Sequence, residues 1–226
     1  GIGALSTEQV LLGLTTAQIV ALSTAQITAL TTAQIGLGLT TAQVAALETR
    51  DLAALTTKQI AALSTAQVQQ GLTTDQLVAL STAQVGVLTT DQISLGLTTA
   101  QLAAMETRDI AALTTKQIAA LTTAQIQLGL TTDQLVALTT GQVQSLTTDQ
   151  ISLGLTTAQV AAIETRDIAA LGTKQVASLS TAQIQLGLST DQVAAMTTAG
   201  IGALSTEQVQ LGLTTAQIVA LSTAQI

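Results

Sequence analysis

The chain is built from one short repeated unit. From Leu5 onward it reads Leu, Thr or Ser, Thr, a variable residue, Gln, then Ile, Val or Leu and two further residues. Units begin at Leu5, Leu14, Leu22, Leu30, Leu39 and onward to Leu221, giving 26 whole units and a partial one. Most have eight residues. The others have nine and end in glycine: Gly13, Gly38, Gly71, Gly96, Gly129, Gly154, Gly187 and Gly212. A unit this short cannot bury an apolar face alone, so neighbouring units must cover one another. That requirement restricts the fold to stacked, quasi-one-dimensional architectures.

The glycine spacings alternate between 25 and 33, so a higher period of 58, or seven units, overlies the short one. Residues 1–27 recur at 200–226 with one change, Leu11 to Gln210, which suggests a hyper-repeat of about 199 residues. The sequence therefore reads as a single continuous array over 1–226, a fragment of a longer one.

Three signals in the unit coincide on a helix start. A hydroxyl at position two with Gln at position five is a capping box, the hydroxyl accepting from a backbone N–H and the Gln reaching back. Leu at position one and Ile or Val at position six have the spacing of a hydrophobic staple. Asp or Glu often fills position four, where the helix dipole favours negative charge. The expected fold is all-α: a solenoid or superhelix of very short helices, one per 8–9 residue unit. Glycine ending the longer units suits a left-handed residue that closes a helix. A continuous helix would rotate successive Leu by about 80° and smear the apolar stripe. Longer helical hairpins remain an alternative, especially where Glu48 replaces the capping Thr and two units could fuse. A β-solenoid is a rival, since Thr, Val and Ile suit strands, but positions one and six would then face opposite ways.

Charge adds the coil. All six basic residues recur at 58. Steps of 25 and 33 from Arg50 give Asp75, Arg108, Asp133, Arg166 and Asp191. Steps of 33 and 25 from Lys58 give Asp91, Lys116, Asp149, Lys174 and Glu207. Both series alternate in sign. They are explained by a superhelix of about 3.5 units per turn, a step of 29 along the sequence, which is half of 58. Unit n would then lie beside units n+3 and n+4, so that opposite charges meet between turns as two ladders. The glycines, also three and four units apart, would line one side and set its curvature or a packing face.

Composition excludes most chemistry. Phe, Tyr, Trp, His, Cys and Pro are absent, 8% of residues are charged and 47% are hydrophobic. Without Cys or His there is no thiolate nucleophile, ordinary zinc site, serine–histidine triad or usual haem ligand. No catalytic residue, metal ligand or cofactor is assigned, and the chain is not expected to be an enzyme. A net charge of −7 opposes nucleic acid and anionic lipid. Thr-Thr and Ser-Thr pairs interrupt every apolar run, so no membrane insertion is expected. The acids lack the spacing of calcium loops. The Glu-Thr-Arg-Asp segments at 48–51, 106–109 and 164–167 are the most distinctive exposed-looking stretch, either a solvated helix face or a binding ridge. Thr rows resemble ice-binding arrays, although capping already accounts for position two.

Residues 72–80, Leu-Thr-Thr-Asp-Gln-Leu-Val-Ala-Leu, look like the first-helix segment of TAL-effector repeats. The base-reading loop and basic stripe of that family are missing, which argues against DNA binding. Tandem Leu-Thr-Thr-Ala-Gln-Ile units more broadly resemble low-complexity arrays of giant bacterial surface or secreted proteins, adhesin-like or haem-utilisation-like. The resemblance implies an extracellular or cell-surface fibre, stalk or spacer. The alternatives are an adhesin-type module recognising protein or glycan through a repeated ridge, and a laterally self-assembling filament subunit. Expected partners are other copies of itself, then a protein or glycan receptor.

Overall fold

The computed structural model describes residues 1–226. It is all-helical, with no strand, and its α-helices run from four to seven residues. Each whole unit supplies one helix. In the unit beginning at Leu39, Thr40 is extended and its hydroxyl accepts from the Gln43 N–H at 3.1 Å. The Gln43 side-chain oxygen accepts from the Thr40 N–H at 2.7 Å. This reciprocal cap satisfies two helix-start donors. The helix then runs Thr41–Ala46 and ends when the Leu47 N–H bonds to the Val44 carbonyl at 3.2 Å. Leu47 returns to extended geometry and the next unit begins.

The helix also restarts where Glu48 occupies the cap. Thr41–Ala46 and Thr49–Ala53 stay separate, and so do their equivalents around Glu106 and Glu164. Glu48 makes no side-chain cap but holds extended geometry, and its carbonyl still accepts from Asp51 and Leu52. Extended geometry at this position is therefore enough, and the alternative of two fused units is not realised.

The nine-residue units solve a different problem. Seven of the eight end in a π-helical turn: Gln34–Gly38, Gln67–Gly71, Gln92–Gly96, Gln125–Gly129, Gln150–Gly154, Gln183–Gly187 and Gln208–Gly212. In each, the next Leu N–H reaches back five residues, as Leu39 does to Gln34 at 2.9 Å and Leu188 to Gln183 at 3.0 Å. The wider turn absorbs the extra residue. No glycine has positive φ, which corrects the expected left-handed closure. The glycines are instead sites of close approach. A Cβ on Gly38 would lie 3.2 Å from the Val10 Cβ, and one on Gly187 would lie 3.0 Å from the Thr157 carbonyl oxygen. Gly13 meets nothing within 4 Å, and its unit ends as an ordinary α-helix, Thr7–Gly13.

The chain forms two compact halves, Gly1–Leu113 and Thr114–Ile226. Within each half the units wind into a solenoid. Gln43 reaches Leu14, Gln59 reaches Leu30 and Gln159 reaches Leu130, each 29 residues back. That step is the length of one coil, about 3.5 units. Positions one and six form a continuous aliphatic core, as in Val44, Leu47, Leu52, Leu55, Ile60 and Leu63, all buried. Each such side chain contributes about 1.5–3 kcal/mol, so a coil draws on some seven of them. A core one helix wide leaves no room for aromatic rings, consistent with their absence.

Candidate functional site

The surface carries no pocket, and no group of three or more acidic, His or Cys side chains is placed to hold a metal. No helix is long and apolar enough to cross a membrane. What repeats from unit to unit is a polar seam between coils.

Its centre is the position-five glutamine. Gln76 is buried. Its side-chain oxygen caps its own helix through the Thr73 N–H, and its Nε2 donates to the carbonyls of Leu47 at 2.7 Å and Val44 at 2.9 Å in the coil before. Gln67 does the same with Leu39 and Ile35, Gln92 with Leu63 and Ile60, and Gln183 with Leu155 and Ile151. One side chain therefore starts a helix and ties it to the junction between the units three and four back. The capping half of this role was legible in the sequence. The tie was not, although one signal pointed to it: Gln fills position five in 23 of the 27 unit starts and Glu in none. Glu would cap equally well, but it cannot donate to a carbonyl.

Three of the four exceptions are aspartates. Asp51, Asp109 and Asp167 occupy the glutamine position, recur at 58, and are buried. Asp51 accepts from the Thr24 hydroxyl at 2.5 Å, and Asp167 from the Thr140 hydroxyl at 2.6 Å. Both oxygens of Asp109 are buried without a hydrogen-bond partner. Burial raises the Asp109 pKa, Arg108 beside it pulls it down, and Glu106 pushes it up, with a net upward shift. The fourth exception is Gly200, in the unit three after the one that carries Gly172 at its cap position. The Gly172 N–H still donates to Gln175 at 2.9 Å, and Gln175 still reaches the Leu146 carbonyl at 2.8 Å, so it is Gly200 that leaves its seam without a side chain.

The expected charge ladders are not formed as ion pairs within the halves. Arg50, Arg108 and Arg166 each pair with their own Glu, at 2.8, 2.8 and 2.7 Å to Glu48, Glu106 and Glu164. Each also lies 3.6–3.7 Å from the neighbouring Asp51, Asp109 or Asp167. No ion pair joins Arg50 or Arg108 to Asp75, Lys58 to Asp91, Arg166 to Asp133 or Asp191, Lys116 to Asp149, or Lys174 to Asp149 or Glu207. An exposed arginine reaches a carboxylate two residues away with little loss of freedom, whereas a bridge between coils would have to hold two exposed chains in place for about 0–1 kcal/mol. The Glu-Thr-Arg-Asp segments are thus closed local clusters with the arginine outermost.

The nine-residue units after the first place their glycine inward, and all eight place the residue before it outward. Leu12, Leu37, Leu95, Leu128, Leu153, Leu186 and Leu211 are 60–76% exposed, and Gln70 holds the eighth such position. In each half the helix ends bearing them stack on one another, through direct packing and through Gln67 on Ile35 and Gln183 on Ile151.

This is a helical solenoid of tandem repeats. The chain belongs to the ALTTAQ repeat family, whose model matches residues 11–49, 44–82, 70–99, 102–140, 160–198 and 193–223. No curated protein sequence matches it. Among solved structures, the leucine-rich repeat-containing protein LegL7 from Legionella pneumophila is similar over 84% of this chain and 67% of its own, at 9% identity and a TM-score of 0.19. A likeness at that level carries no argument.

Proposed function

We propose that this segment is a non-enzymatic structural spacer in a fibre or stalk on or outside a bacterial cell. The observation that carries the reading is the glutamine seam. Because coils within each half are tied to the one before by the same amide-to-carbonyl bonds, coils can be added without any new kind of contact, and length scales with repeat number. Expressing arrays with one, two and three added seven-unit blocks and measuring their length by small-angle scattering tests it. Equal increments per block support a spacer. A length that fails to grow with block number contradicts it.

A second reading is an adhesin-type module that recognises a protein or glycan. It is favoured by the arginines of the Glu-Thr-Arg-Asp clusters, each at least 60% exposed and recurring at a fixed interval of 58. Repeated, identically presented charges suit a repeated ligand through multivalency. Binding that is saturable and lost on Arg50→Ala, Arg108→Ala and Arg166→Ala together would favour this reading over a passive spacer.

A further inference from the structure

In each half the outward leucines form an apolar ridge that the core does not use. In the second half, Leu128, Leu153, Leu186 and Leu211 come from four successive stacked helix ends, one in each coil. In the first half, Leu12, Leu37 and Leu95 stand in the same way, with Gln70 between the last two. Their steps of 25 and 33 straddle the length of one coil, so successive leucines fall alternately to either side of one line. That is the zigzag of a and d positions along a coiled-coil helix, drawn with units in place of residues.

We propose that this ridge is the surface by which two copies of the chain associate side by side. Three observations select a second copy as the occupant. The first is spacing: the partner must offer apolar groups once per coil, and another copy has the same period by construction. The second is charge. Asp91, Asp149 and Glu207 precede Leu95, Leu153 and Leu211 by one turn on the ridge helices, while Lys58, Lys116 and Lys174 stand on the helices leading into the other ridge members. Lys58, Lys174, Asp149 and Glu207 are exposed and have no ion-pair partner within their halves. A stagger of one coil between two copies sets the lysines of one against the acids of the other. The third is area. A leucine offers on the order of 100 Å² of apolar surface, so the four of the second half alone supply most of the apolar part of a standard interface of about 800 Å² per partner.

The test is sedimentation equilibrium of the 226-residue chain from about micromolar to millimolar concentration, at low and high salt. The wild type is expected to form dimers or larger side-by-side assemblies. Leu128→Gln, Leu153→Gln, Leu186→Gln and Leu211→Gln together, patterned on Gln70, are expected to weaken association by on the order of 100-fold with the helical circular dichroism unchanged. If that variant loses its fold, Lys58→Glu, Lys116→Glu and Lys174→Glu decide the matter, because these exposed side chains support no internal contact. Weaker association at low salt that recovers as salt screens the new like-charge repulsion supports the proposal. A wild type that stays monomeric throughout, or folded variants that associate as tightly as it does, would overturn it.

Discussion

The side chain of Gln76 donates to the Leu47 carbonyl 29 residues back at 2.7 Å while accepting from the Thr73 N–H three residues back at 2.9 Å. Local helix initiation and coil-to-coil stacking thus share one amide. Gln76→Glu separates the two roles, because the carboxylate still caps but turns like charge onto the Leu47 and Val44 carbonyls. The expected loss at neutral pH is about 3 kcal/mol, the range for a buried hydrogen bond lost to a charged group. Urea unfolding followed by circular dichroism measures it, and an unchanged midpoint would show that the amide-to-carbonyl bonds contribute nothing.

Gly187 and Gly141 should respond in opposite directions to the same change. A Cβ at Gly187 meets the Thr157 carbonyl at 3.0 Å and the Val160 side chain at 3.1 Å, whereas one at Gly141 meets nothing within 4 Å. Gly187→Ala is expected to cost about 1–3 kcal/mol through overpacking. Gly141→Ala is expected to gain about 0.5–1 kcal/mol from helix propensity. Equal effects in thermal unfolding would mean that the π-helical glycines are there for flexibility and not for close approach.

Gly200 leaves a gap in the seam that can be filled. Gly200→Gln restores an amide 29 residues after Leu171, the spacing that Gln175 keeps with Leu146. A gain of about 1–2 kcal/mol is expected from helix propensity and one hydrogen bond. A drop in the unfolding midpoint would show that the seam has closed around the missing side chain.

Asp109 makes stability depend on acid in an unusual direction. Its pKa is raised in the fold, so between the unfolded and folded values the native state holds the proton more firmly. Its contribution therefore falls as pH rises through that window and is restored as pH is lowered. Asp109→Asn should stabilise the chain at pH 7 and flatten this part of the profile. Asp109→Gln should do so and add the bond to the preceding coil. Matching pH profiles for wild type and Asp109→Asn, measured by thermal unfolding, would exclude the effect.

The short helices and the coil length were legible because they are written in spacing. Thr40 and Gln43 stand at capping distance, and the steps of 25 and 33 between glycines and between charges average to 29. What escaped the sequence were consequences of three-dimensional crowding. Gly38 was expected to close a helix in left-handed geometry, but the i to i+5 bond from Leu39 closes it, and Val10 excludes a larger residue. The charge alternation implied bridges between coils, but Arg50 has Glu48 at 2.8 Å and needs no distant partner. Asp51 carried no sign that it would be buried, since it read as one more solvated acid. The outward leucines were hidden because Leu37 sits beside Gly38 at a position occupied by Ala in most units.

The alternation of 25 and 33 limits how such a gene can change length. Insertion or loss of one eight-residue unit by replication slippage keeps every cap and every core leucine. It also rotates all that follows by about two sevenths of a coil, carrying the nine-residue units off their common line. Only a change of seven units, one full period of 58, returns each glycine to its place. Selection that acts on the outer face will therefore admit growth in whole blocks, and drift in single units will be visible as arrays that fold but present a broken face.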